Sequence, residues 1–114
     1  MDKWVLDFIR IKRIDSFQKL RLLIFFHHHP QAMGTSREFA KWLYLADVLL
    51  LEKIITELQA ASLVDYSEER YTLRGEPAVK SALQDLVRAF ENPLARQVLL
   101  NHINSATPSK FNTF

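Results

Sequence analysis

The chain has 114 residues, of which 48% are hydrophobic and 25% charged, with a net charge of +2 and no cysteine. This length and composition predict one globular domain and argue against wholesale disorder. The lack of cysteine excludes disulfides, thiolate zinc sites and cysteine nucleophiles from the sequence.

The apolar residues are distributed as in a soluble protein. The longest strongly apolar runs, 22–26 and 48–51, are much shorter than the roughly 20 residues of a membrane span. Charged residues interrupt the apolar residues at the N-terminus, which is unlike a signal peptide. We therefore expect a cytoplasmic protein with no membrane contact.

The N-terminal segment, residues 1–15, is predicted to contain a helix. Its apolar residues at helical spacing are Trp4, Val5, Phe8 and Ile11. A strand fits less well, because Arg10 and Lys12 would then share a side with apolar residues. We interpret this segment as a candidate dimerisation element.

Three further helices are predicted from capping signals. Asp15 and Ser16 form a cap signal for a helix over 17–28. The sequence from Thr35 to Glu38 has the pattern of a capping box, which predicts a short helix to about residue 43. Asp47 is a plausible cap for a helix over 48–61, whose apolar residues recur at helical spacing.

The periodicity changes after residue 62. Residues 63–66 and 71–73 are predicted to be strands of a hairpin, joined by the polar turn 67–70. Pro77 suits the first turn of a helix that continues to residue 91. A C-terminal helix over 92–104 and a flexible tail over 105–114 complete the predicted elements.

Residues 16–91 resemble a winged helix-turn-helix domain. Thr35–Ala40 resembles the opening of the second helix in that family, "T..ELA", and Tyr71–Leu73 resembles the returning wing strand, "Y.L". Leu49–Ser62, continued by Leu63–Tyr66, resembles a third helix that ends in "L...GLV" and enters the first wing strand. Residues 89–103 are similar to the end of small bacterial winged-helix proteins of unassigned role.

The resemblance implies a mostly helical α+β fold: a winged helix-turn-helix with a β-hairpin wing and flanking N- and C-terminal helices. It also implies a DNA-binding transcriptional regulator that forms a homodimer. The DNA-binding candidates by position are Thr35, Ser36, Arg37, Lys41, Lys53 and Arg70. Because the family does not share one function, the fold alone does not decide the function.

Charge favours an alternative, a winged-helix module that binds a protein instead of DNA. Residues 47–62 hold three carboxylates against one lysine, and residues 65–76 hold four against two arginines. An acidic surface loses the electrostatic attraction that supplies most non-specific DNA affinity. The candidate protein-binding residues are Val48, Leu49 and Glu52.

Positive charge is concentrated in residues 1–21, which hold six basic and three acidic side chains. These cations are candidates for DNA phosphate contacts. Alternatively, Arg10, Lys12, Arg13 and Arg21 are solvated helix faces. Phe25 and Phe26 are adjacent, so one narrow helix face cannot bury both, and extra cover is needed. We expect this cover from the N-terminal segment or a second subunit, with Trp4, Phe8 and Phe25 as dimerisation candidates.

The sequence contains no convincing catalytic or metal-binding pattern. His27, His28 and His29 are consecutive, so on a helix they point about 100° apart and do not converge on one metal. The two glycines, Gly34 and Gly75, are isolated, so there is no glycine-rich phosphate loop. We expect no enzymatic activity, no metal and no cofactor.

Overall fold

The computed structural model describes residues 3–106, with side chains as far as residue 103. The fold is mostly helical α+β, as predicted. The helices are α1 (Lys3–Ile11), α2 (Phe17–His28), α3 (Ser36–Trp42), α4 (Val48–Ala60), α5 (Pro77–Glu91) and α6 (Pro93–Ala106). The strands are β1 (Met33–Gly34), β2 (Val64–Ser67) and β3 (Arg70–Leu73). No helix within 3–106 combines the length and apolar character of a membrane span.

The helix starts follow the predicted caps. Ser16 Oγ accepts a hydrogen bond from the Lys19 amide at 3.2 Å, and Asp47 Oδ1 accepts from the Leu50 amide at 3.0 Å. The α1 helix confirms the helical interpretation of the N-terminal segment. At the other end, α6 continues to Ala106, so the prediction that a tail begins at residue 105 is wrong. The remainder of that tail, 107–114, lies outside the described residues.

The sheet is antiparallel, in the order β1-β3-β2. In the predicted hairpin Val64 lies opposite Leu73 and Tyr66 opposite Tyr71. The third strand, β1, was not predicted, because two residues are too short to show an alternating pattern. It exists because the connection after α2 runs alongside β3 and pairs with it.

The tight turns after α4 and within the hairpin place ordinary residues in the left-handed region. Ser67 and Arg70 pair with each other, so the predicted four-residue turn contracts to Glu68 and Glu69, with φ of 52° and 63°. Positive φ at both central residues is the requirement of a type I′ hairpin turn. Ser62, at φ 67°, stands where the winged-helix pattern has glycine.

One hydrophobic core joins all the helices. It includes Val5 and Ile9 of α1, Leu58 of α4, and Leu99 and Ile103 of α6. Helix α1 packs against α5 and α6, α2 packs against α4 and α5, and α3 packs against α4. The flanking helices therefore share their core with the central segment.

The apolar face predicted for α1 is wrong in its orientation. Val5 and Ile9 are 3% and 1% exposed, whereas Trp4 and Ile11 are 41% and 67% exposed. Val5 and Ile9 are four residues apart and so lie on the same side of the helix. The position of α5 and α6 decides which side is covered, and this position is not visible in the sequence of α1.

Candidate functional site

The winged-helix resemblance indicates a candidate site on α3, α4 and the β2–β3 hairpin. We call these three parts together the reading surface. At the start of α3, Thr35 Oγ1 accepts from the Glu38 amide at 3.2 Å, and Glu38 Oε1 accepts from the Thr35 amide at 2.9 Å. This confirms the capping box and occupies the Thr35 hydroxyl locally. Ser36 is half-buried, whereas Arg37 and Lys41 are exposed.

Helix α4 is amphipathic. Leu51, Ile54, Ile55 and Leu58 are buried, and Val48 packs partly against the core. Leu49 is 78% exposed. Glu52 and Lys53 are exposed one turn further along, and Thr56 and Gln59 continue the same exposed side. This exposed side therefore mixes one large apolar side chain with polar side chains of both charges.

The hairpin contributes one arginine to the reading surface and uses the other in its own structure. The guanidinium of Arg74 donates twice to Asp65 Oδ1, at 3.1 and 3.0 Å, and lies 3.6 Å from Glu76. Arg70 is exposed at the start of β3. Across the hairpin the Tyr66 and Tyr71 rings lie 4.6 Å apart, centroid to centroid.

Four cations of the reading surface have no ion pair or side-chain hydrogen bond with any residue of the described range. They are Arg37, Lys41, Lys53 and Arg70. They lie on α3, α4 and β3. Helix α3 packs on α4, α4 packs on β2, and β2 pairs with β3. Other exposed cations without such a bond within 3–106 are Lys3, Arg13 and Lys80, on separate parts of the chain.

Several cations of the basic segment, residues 10–21, are used inside the fold. Lys19 is 3% exposed and donates to Asp15 Oδ1 at 2.9 Å, Glu57 Oε1 at 2.6 Å and the Arg13 carbonyl at 2.8 Å. These three bonds satisfy all three donors of its ammonium group. Lys19 is therefore not available for a phosphate contact.

Two more cations of the basic segment bond to helix ends. Lys12 Nζ donates to the carbonyl of Ala61, which follows α4, at 3.0 Å. Arg21 Nη2 donates to the carbonyl of Leu43, which follows α3, at 2.6 Å. Positive charge is favoured at a helix C-terminus because the last carbonyls lack helical donors. The basic segment thus holds the two helices of the reading surface in place.

The dimerisation candidates fall into two separate groups of contacts. The Trp4 and Phe8 rings meet edge to face at 6.5 Å on α1. Phe25 packs against α3, stacked on Trp42 at 6.0 Å and edge to face with Phe39 at 6.0 Å. Phe26 is fully buried. The adjacent pair Phe25 and Phe26 needed extra cover. Helix α3 supplies this cover on the side of Phe25.

The three consecutive histidines lie next to other rings. His27 and His28 lie ring to ring at 5.3 Å, while the His29 ring lies 4.7 Å from that of Phe25. Among residues 3–103 no three or more ligating side chains are grouped so that they could hold a metal ion.

No protein-family model, curated protein or solved structure matches this chain.

Proposed function

We propose that this chain is a winged helix-turn-helix protein that binds duplex DNA through the reading surface and regulates transcription. The element order from α2 to β3, with α3 packed on α4 and α4 running into an antiparallel hairpin, supports the winged-helix assignment. The single observation that carries the DNA assignment is a contrast in bonding. Among the described residues, four exposed cations of the reading surface have no bonding partner, whereas most cations of the basic segment bond to other parts of the chain.

In this proposal α4 lies in the major groove. Lys53 and Arg70 contact phosphates on either side, and Arg37 and Lys41 of α3 contact the backbone. Thr56 and Gln59 have hydrogen-bonding groups for base edges, and Leu49 is suited to a thymine methyl group. Thr56 and Gln59 were not predicted from the sequence, and their exposure on α4 supports them as candidates.

A salt titration tests the proposal. Four phosphate contacts give a slope of log K against log salt of about −3 to −4, measured by fluorescence anisotropy on mixed duplexes. Replacing both Arg37 and Lys41 by Glu is expected to abolish binding, and Lys53→Gln to lower the slope by about one unit. Lys80→Gln, an exposed cation on α5, is the matched control and is expected to change the slope less than Lys53→Gln.

A second function, binding of a protein partner, is favoured by the exposure of Leu49 and the adjacent Glu52. In that case DNA affinity stays no better than micromolar at low salt, and the Arg37 and Lys41 replacements change little. Leu49→Asp then disrupts the partner complex while leaving the fold intact, because Leu49 is outside the core. Salt-dependent binding that requires Arg37 and Lys41 contradicts this second function.

We further infer a homodimer in which the exposed part of Trp4, supported by Phe8, lies in the interface. Trp4→Ser leaves the buried residues Val5 and Ile9 in place, so the fold is expected to persist. Sedimentation velocity is expected to show a dimer for the parent chain and a monomer for the variant. An unchanged sedimentation coefficient for the two proteins contradicts a Trp4 interface.

A further inference from the structure

A cavity of about 860 Å³ lies where the C-terminal ends of α2 and α3 meet. We name it the α2–α3 cavity. It is lined by Phe25, the connection 29–33, Lys41, Trp42 and Tyr44. Its volume is within the range of about 300–1,000 Å³ typical of small-molecule sites. Apart from Lys41, the residues that line this cavity take no part in the proposed binding of DNA or of a partner protein.

The lining is aromatic and partly exposed. The Phe25 and Trp42 rings are nearly parallel, with an interplanar angle of 14°. Trp42, Met33 and Tyr44 are 39%, 53% and 95% exposed, so three large apolar side chains of one cavity face solvent. Grouped apolar exposure of this kind is typical of ligand-binding surfaces. Flat aromatic walls favour a planar aromatic ligand.

The framework around the cavity is constrained. Tyr44 has φ 55°, at the position after α3 where a helix commonly places glycine, and the Leu45 amide donates to the Ala40 carbonyl at 2.8 Å. An L-residue in this conformation costs about 1–2 kcal/mol, which a glycine would avoid. On the other side, a Cβ on Gly34 would lie 3.0 Å from Trp42 Cη2, so the absence of a side chain there lets β1 approach the indole closely.

The charge of the lining favours a ligand that carries a negative charge. Within the described part of the chain none of the lining side chains is acidic, and the Lys41 ammonium has no ion-pair partner. A carboxylate placed against this ammonium forms a charge-assisted hydrogen bond. Because the walls are aromatic and the free charge is positive, we propose that the α2–α3 cavity binds a planar aromatic carboxylate.

Direct binding tests the proposal without nucleic acid, so its outcome does not depend on the DNA proposal. The probe is 1-naphthoate, and its neutral counterpart is 1-naphthalenemethanol, which has the same rings and no charge. We expect 1-naphthoate to shift the Trp42 indole N–H resonance in NMR spectra, and the alcohol to bind about tenfold more weakly. Equal affinity for the two compounds, or shifts confined to Trp4, overturns the proposal.

Three variants locate the binding groups. Lys41→Gln is expected to weaken 1-naphthoate binding about tenfold and to leave the alcohol unaffected, whereas Lys80→Gln is the matched control on α5 and changes neither. Tyr44→Gly removes one aromatic side chain of the lining and relieves the left-handed residue, so it is expected to weaken binding while the melting temperature is maintained or raised. Equal effects of Lys41→Gln and Lys80→Gln contradict the proposal. A Trp42 resonance that moves with protein concentration alone assigns the cavity to a second copy and overturns it.

Discussion

The basic segment and the reading surface both contain several cations, but the fold uses them differently. In the basic segment Lys12, Lys19 and Arg21 all bond to other parts of the chain, and Lys19 is buried. In the reading surface Arg37 and Lys41 are exposed and make no such bond within the described residues. A count of charges along the chain places the positive charge in the first region. Among the described residues, however, more exposed cations without a bonding partner lie in the reading surface.

The basic segment has a structural role, because its cations bond to the helices of the reading surface. Arg21 bonds to the end of α3, and Lys12 bonds to the end of α4. Lys19 joins the start of α2 to Glu57 of α4. These bonds connect residues that are 22 to 49 positions apart in the chain. Removing the cations one at a time therefore tests how much each bond contributes to stability.

The largest effect is expected at Lys19. Lys19→Met keeps most of the buried side-chain volume and removes the ammonium from Asp15, Glu57 and the Arg13 carbonyl. Loss of a buried ion-pair partner costs about 3–5 kcal/mol. Both carboxylates here are more than 40% exposed, so they remain partly hydrated after the change. We expect a loss of about 2–4 kcal/mol in the free energy of unfolding, measured by urea denaturation.

Arg10 provides the matched control for Lys19. Its ion pair with Asp7 spans 3.2 Å, but the arginine side chain is 70% exposed. Exposed pairs contribute about 0–1 kcal/mol, so Arg10→Met is expected to have a small effect. Similar losses in the free energy of unfolding for the two variants would mean that the burial of Lys19 adds nothing to stability. That result would contradict the structural role of the basic segment.

An intermediate effect is expected at Arg21. Arg21→Met removes the donor to the Leu43 carbonyl and keeps part of the apolar stem. A hydrogen bond with a charged donor contributes about 1.5–3 kcal/mol, and the site is only partly buried, so we expect a loss of about 1–2 kcal/mol. Amide hydrogen exchange is expected to accelerate at the end of α3 more than in α6. Uniform acceleration in both helices contradicts a local role for this bond.

The smallest effect on stability is expected for the reading surface. Arg37→Gln and Lys53→Gln remove exposed cations without a bonding partner in the described range, so each is expected to change the free energy of unfolding by less than about 0.5 kcal/mol. Thermal melting of the two variants measures this directly. A loss above about 1 kcal/mol for either variant means that its cation is structural.

Local chemistry explains why several elements were predictable. The capping residues Ser16, Thr35 and Asp47 satisfy amides within three positions of themselves, so the necessary information is contained in a few adjacent residues. The buried side of α4 was also predictable, because Ile54, Ile55 and Leu58 recur at helical spacing and all are buried.

The remaining features depend on partners distant in the chain. Strand β1 forms because β3 lies alongside it, and the buried side of α1 depends on α5 and α6. The α2–α3 cavity combines residues of two helices, their connection and Tyr44 after α3, so no single segment of the sequence indicated it. The proposed use of Thr56 and Gln59 depends on which side of α4 remains uncovered.

The sequence by itself determined where most helices begin and that a hairpin follows α4, because caps, turns and side-chain periodicity act over a few residues. Only the tertiary structure decided which charges are available to a partner. Lys19 and Lys53 are the same residue type, but the first is 3% exposed with three acceptors and the second is exposed. Burial and hydrogen bonding are properties of packed neighbours, and those neighbours come from remote segments of the chain.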